Sequence, residues 1–401
     1  MKSFGILKNV IQPYAWGSYT AIPRLLGEAS ASETPCAELW MGAHPKACSL
    51  VYVEDRWVSL QDLIDQNPVD VLGRHVAGKY DHRLPFLLKV LAAEQPLSVQ
   101  VHPGLKQAKK GFERENSRNI PLSAPERNYR DDNHKPECIC ALTPFWAMNG
   151  FRSISEILKR MKCVCPEEMQ RELGILREER DPGRLKRFFT ALMTMEIDRR
   201  LRIIDKSMQK AEELSEYDPA FQWMRVLHHH YPGDIGVFSP VLLNLVRLEP
   251  GEAMFLDSAQ LHGYLKGMGI ELMANSDNVL RGGLTRKHIE VEELLNVVDF
   301  TQRSVAILRP KKRSKTEQVY AAPVDEFVLS IISVGETLPH VSGRNRSIEI
   351  LLCTDGEAVL TDTAHRTNLR VRKGISVVVP AAMDVYGIEG KAVFYKASVP
   401  V

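Results

Sequence analysis

Leu97-Ser98-Val99-Gln100-Val101-His102-Pro103 alternates polar and apolar side chains around two β-branched valines, the pattern of a short strand. Successive side chains of a strand point to opposite faces, so Ser98, Gln100 and His102 share one face and Val99 and Val101 take the other. That polar face sets an amide oxygen beside an imidazole nitrogen. Both groups ligate metals, although glutamine is an uncommon zinc ligand. Taken alone, the plainer reading is a solvated strand face with one histidine.

Two other stretches shift that balance. Asn133-His134-Lys135-Pro136-Glu137 precedes an apolar run, Cys138-Ile139-Cys140-Ala141-Leu142, which reads as another strand. Lys135 stands before a proline and is biased toward extended backbone, which puts Lys135 and Glu137 on one face and His134 on the other. Further on, Ala253-Met254-Phe255-Leu256 leads through Asp257-Ser258-Ala259-Gln260-Leu261 to His262. A glutamine, two histidines and a glutamate make a mixed nitrogen and oxygen set suited to zinc with a position open to substrate.

A chain of 401 residues is long for one core, so two or three domains are expected. The formal net charge of +2 gives no argument for a nucleic-acid or membrane partner. Residues 1–8 hold no continuous apolar stretch of signal-peptide kind, and no later run is apolar and long enough to cross a bilayer; a cytoplasmic protein is the expectation. Seven cysteines, an odd and scattered set, read as reduced thiols. The pairs Cys138/Cys140 and Cys163/Cys165 invite a thiolate metal site, but Cys138 and Cys140 share the strand face opposite Glu137 and read as core packing.

Along the chain, residues 1 to about 58 mix turn signals with short apolar runs, and residues 59 to about 76 have helical periodicity interrupted at Pro68. Trp16 and Trp40 suit either a sugar-stacking site or the core. Pro85 to Ala93 reads as a buried strand that Glu94-Gln95-Pro96 turns back into the Gln100 strand as a hairpin. Residues 106–118 are charged and helical; Lys106, Lys109 and Lys110 would attract a phosphorylated substrate, but a solvated helix face is the plainer account. From 153 to about 230 the period becomes helical, with Leu185, Phe188, Phe189 and Leu192 on one stripe and Leu201, Ile204, Met208 and Ala211 on another. His228-His229-His230 cannot converge on one ion from a helix, since consecutive residues point in three directions. Strand character returns at Gly236 and dominates from about Phe300. The last part weakly echoes the first β region, with Val385 set where His262 stands and Thr361 and Thr363 opposite Gln100 and His102, hence without metal ligands.

Six segments together resemble the signatures of type I phosphomannose isomerases. They are Pro13-Tyr14-Ala15-Trp16-Gly17, Glu38-Leu39-Trp40-Met41-Gly42-Ala43-His44-Pro45, Pro96 to Pro103, Asn133 to Glu137, Tyr231-Pro232-Gly233-Asp234, and Asn275-Ser276-Asp277-Asn278-Val279-Leu280-Arg281-Gly282-Gly283-Leu284-Thr285. They stand in the family's order from near residue 13 to about 300. After Thr285 the family usually has Pro-Lys where this chain has Arg286-Lys287, which bears only on the local loop.

The resemblance implies one Zn2+ bound by Gln100, His102, Glu137 and His262, and a catalytic Arg281. It implies a mainly β fold of two jelly-roll (cupin) barrels with an inserted helical domain: residues 1–152 and 234–300 forming the metal-bearing barrel, 153–233 the insertion, and 301–401 a barrel without ligands. The implied reaction interconverts mannose 6-phosphate and fructose 6-phosphate through a metal-stabilised enediolate, which needs no nicotinamide or flavin. Lys135, on the face of Glu137, is a candidate base or phosphate clamp, and His134 a candidate for assisting ring opening although it faces away. Asp277, Trp16 and Ser98 are candidates for contact with a sugar phosphate. A monomer is expected. Competing readings are another metal-dependent cupin enzyme, such as an oxygenase, and a non-catalytic sugar-phosphate sensor, which would most simply lack a ligand or Arg281.

Overall fold

A computed structural model describes residues 3–178, 180–364 and 367–401. Two eleven-stranded antiparallel sheets form the body, and helices between residues 154 and 230 form the insertion. The mainly β architecture with a helical insertion is thus as the sequence indicates.

The spine of the metal-bearing half is one long strand, His262–Ala274. Its second half lies between Phe86–Ala93, with Lys89 opposite Glu271, and Glu137–Ala141, with Ile139 opposite Glu271. Its first half pairs with Phe145–Phe151 and, at His262, with Gln100 of Val99–Val101. The change of partners occurs around Gly267, whose φ of +129° suits glycine and where a Cβ would meet the Pro144 carbonyl at 2.7 Å.

The expected hairpin between the Phe86–Ala93 strand and the Gln100 strand does not form. Phe86–Ala93 is flanked instead by Glu38–Met41 and the long strand. The intervening turn is held elsewhere: the Glu94 and Gln95 amides donate to the Trp16 carbonyl at 3.0 and 3.1 Å, and the Leu97 amide donates to the Tyr264 carbonyl. Val99–Val101 therefore crosses to pair with His262 and with Leu280–Gly283.

The second sheet holds the C-terminal strands, and it also takes in strands from the beginning of the sequence. Gly5–Lys8 pairs with Ser376–Val379, Gly5 opposite Val378, and on its other side with Leu50–Val53. A local apolar pattern gives a strand but not its partner.

In the insertion, Leu185, Phe188, Phe189 and Leu192 are buried as their spacing predicts. Full burial of side chains of this size contributes about 1.5–3 kcal/mol each. The seam of helix Ile197–Leu214 keeps Ile204 and Ala211 of the expected stripe, with Met208 partly buried against the core, and adds Ile203 and Ser207, while Leu201 is 40% exposed. Glu196 and Asp218 accept backbone N–H groups at the starts of Ile197–Leu214 and Pro219–His230, satisfying donors those helices leave free. Val99 and Val101 pack into this same helical core, so burial of their face fixes Gln100 on the other.

Candidate metal centre

His102, Glu137 and His262 are brought together from three separate segments, and all three are buried. His102 Nε2 lies 3.3 Å from Glu137 Oε1, and His262 Nε2 lies 3.6 Å from Glu137 Oε2. The Nδ1 atoms are engaged on the far sides: His102 donates to the Asn278 carbonyl at 2.6 Å and His262 to the Gln260 carbonyl at 2.9 Å. Those donations fix the tautomer and leave both Nε2 lone pairs facing the carboxylate. Neither Nε2 atom has a hydrogen-bond partner.

Burial holds both imidazoles neutral. The His102 pKa is lowered, and that of His262 is pushed down to about 4 by burial and by His102. Burial alone would raise the Glu137 carboxyl, but neighbouring positive charge, the Lys135 ammonium 3.3 Å away included, outweighs it and holds the group well below the usual carboxylate range. Two unpartnered nitrogen lone pairs and one carboxylate are the donors a zinc ion takes, and backbone carbonyls behind the rings are the usual supports of such ligands. The residues present fit zinc.

A cleft of about 790 Å3 opens beside Glu137. Gln100, the ladder neighbour of both His262 and Arg281, lines it. Lys135 Nζ stands 3.3 Å from Glu137 Oε1, so the shared face expected from Pro136 is present. Ser98, Trp16 and Asp277 line the same cleft; Trp16 stacks on Tyr14, and Asp277 pairs with Lys46 at 2.8 Å. Trp40 is buried.

Arg281 lies among other cations. Burial and Arg130 lower its pKa, and Arg281 in turn lowers that of Lys287. Among the described residues no carboxylate pairs with Arg130, Arg281 or Lys287. The loop after Arg281 is tied down by Asp234, which accepts the Gly236 and Thr285 amides, so the Tyr231-Pro232-Gly233-Asp234 segment serves as its anchor.

His134 lies in the space next to this cleft, which shares Lys46, Arg130 and Asp277 with it. The His134 Nε2 pairs with Glu326 Oε1 at 2.7 Å, and the ring lines this neighbouring cavity of about 1050 Å3. In extended backbone His134 turns opposite to Lys135, as the position of Lys135 before Pro136 indicates.

Lys89 and Glu271 were missed. The buried Lys89 ammonium lies 2.9 Å from Glu271 and 3.8 Å from Glu38, over the Trp40 ring, and all four residues line the cleft. Burial opposes its charge, but Glu271 and Glu38 prevail and raise its pKa. The available signal was a lysine inside the otherwise apolar run Phe86-Leu87-Leu88-Lys89-Val90-Leu91.

The remaining metal candidates are absent among the described residues. All seven cysteines are free, and Cys138 and Cys140 are fully buried in the core. His228, His229 and His230 belong to no metal-holding group. Among the described residues no helix is long and apolar enough to cross a membrane.

The model of the type I phosphomannose isomerase catalytic domain matches residues 5–154, and that of the family's helical insertion domain matches residues 165–243. Mannose-6-phosphate isomerase of Salmonella typhimurium is 43% identical over 366 residues, covering 91% of this chain and 92% of that protein. The chain belongs to the type I phosphomannose isomerase family. Membership extends to distant relatives: the human mannose-6-phosphate isomerase is 34% identical over 400 residues, covering 92% of this chain and 91% of that one. A zinc-bound mannose 6-phosphate isomerase structure superposes with a TM-score of 0.90 at 39% identity, each chain covered in full. A glutamate-to-alanine variant of the Salmonella typhimurium phosphomannose isomerase gives 0.92 at 39% identity, again over the whole of both chains.

Proposed function

We propose that this chain interconverts D-mannose 6-phosphate and D-fructose 6-phosphate, with one zinc ion held by Gln100, His102, Glu137 and His262. The observation that carries the proposal is the pair of unpartnered imidazole Nε2 atoms facing the Glu137 carboxylate. Bound zinc would act as a Lewis acid toward the negative charge that develops on adjacent sugar oxygens.

The chain's own residues divide the remaining work. Isomerisation shifts one proton between neighbouring carbons at the carbonyl end of the open sugar, and Lys135 Nζ is the group assigned to that transfer. Lys89, held by Glu271 and Glu38, presents a fixed ammonium to sugar oxygens. Arg281, with Arg130 and Lys287, grips the phosphate: a dianion offsets the mutual repulsion of these three cations. Trp16 offers an aromatic face to the sugar, while Ser98 and Asp277 offer hydroxyl and carboxylate contacts. The protein works as a monomer in the cytoplasm, a state that size-exclusion chromatography with light scattering tests.

Metal analysis combined with a coupled assay for fructose 6-phosphate formation tests the whole reading. Wild-type protein should carry stoichiometric zinc and turn over, and His262→Ala and Gln100→Ala should lose both. Full activity in a thoroughly metal-stripped His262→Ala protein would falsify the site.

A further inference from the structure

Asn278 has no exposed surface, and its hydrogen bonds reach both the 130–133 segment and the ring of His102. Its Nδ2 donates to the carbonyls of Asp131 and Asn133, both at 2.9 Å, and to Asp131 Oδ1 at 3.1 Å. Its Oδ1 accepts the Arg130 amide at 2.7 Å and the Asp131 amide at 3.3 Å. Its own carbonyl accepts the His102 Nδ1–H at 2.6 Å. The segment so gripped, residues 130–133, runs directly into Lys135 and Glu137, and Arg281 follows Asn278 by three positions.

We infer that Asn278 is a positioning residue that sets the ring of His102 and the spacing of the Lys135/Glu137 segment from the Arg281 strand as one unit. The amide has a donor end and an acceptor end, and both ends are used here. Backbone carbonyls behind metal-ligating histidines fix ring orientation and tautomer, and loss of such a support typically weakens metal binding by about 10–100-fold. At Asn278 the support is itself anchored by the side chain, so disturbing the amide moves the carbonyl behind His102.

The inference rests on the zinc-site reading above and is tested by a readout other than turnover. Asn278→Asp keeps the shape and the acceptor but turns an anion toward Asp131 Oδ1 and two carbonyls; Asn278→Ala removes both ends. In the metal-free wild-type protein, nitrogen NMR should show His102 with its proton on Nδ1, and zinc affinity should be measurable by chelator competition. In folded Asn278→Asp the Nδ1–H signature should be lost, zinc should bind at least about tenfold more weakly, and the visible spectrum of the cobalt-loaded protein should shift. If Asn278→Ala does not fold, Asn278→Asp decides. A variant with a lowered melting temperature but wild-type zinc affinity and cobalt spectrum overturns the inference, since that is what a purely structural amide would give. A wild-type protein that takes up neither zinc nor cobalt overturns the zinc-site reading and this inference with it. Wild-type zinc uptake without isomerase activity counts against the proposed reaction alone, and the variant comparison still decides the role of Asn278.

Discussion

Arg281 carries its charge with no carboxylate partner among the described residues, so its removal should cost function without unbalancing the fold. Arg281→Ala is expected to lower turnover about 100-fold or more with zinc retained, measured by steady-state kinetics alongside metal analysis; wild-type kinetics would remove Arg281 from the mechanism. Lys89 is the opposite case, buried between two carboxylates. Lys89→Met leaves Glu38 and Glu271 uncompensated and should destabilise the protein by about 3–5 kcal/mol in urea unfolding. His44 gives a signed pH effect. Burial pushes its pKa down from 6.5 to about 4, with Asp277 opposing. Above the unfolded value both states are neutral. As pH falls from there toward about 4 the unfolded chain binds the proton first, and stability is lost across that window. His44→Asn should flatten the dependence by up to about 1.4 kcal/mol per pH unit; equal losses between pH 7 and 5 in the two proteins would exclude His44 as the source. At this scale strand parity and a proline made the shared face of Lys135 and Glu137 legible, whereas the grouping of His102, Glu137 and His262 followed from the family resemblance. Lys89 and Asn278 were not legible, because their roles depend on partners far off in sequence.

The strand His262–Ala274 shows why element type is easier to read than pairing. Apolar character near His262 signals a strand, yet nothing local says that its two halves serve different neighbours. Gly267, where the change occurs, is the sensitive point: Gly267→Val should cost about 2 kcal/mol or more in denaturant unfolding, from unfavourable φ and the close Pro144 carbonyl. An unchanged midpoint would mean that the backbone there relaxes freely. The helical insertion was legible in its outline because a 3.6-residue period needs only neighbours within the element. Its one departure, the exposed Leu201, reflects a seam that passes through Ile203 as well as Ile204 and Ala211. The missing hairpin before Gln100 has the same origin: the Trp16 carbonyl takes the turn amides and diverts the chain.

Across the whole molecule, Gly5–Lys8 joins the two ends of the sequence in one sheet. Removing residues 1–8 uncovers the edge of Ser376–Val379, so the truncated protein is expected to melt lower and to associate, seen as a rise in light scattering. A truncated protein that stays monomeric at the wild-type melting temperature would show the pairing to be dispensable. The same pairing imposes an order on synthesis. Gly5 meets a residue translated about 370 positions later, an interval of roughly 20–75 s at ordinary elongation rates. Until then Gly5–Lys8 has only Leu50–Val53 to pair with, and its other edge stays open. That open edge can meet other unpaired strands throughout the interval, the hazard that chaperones limit.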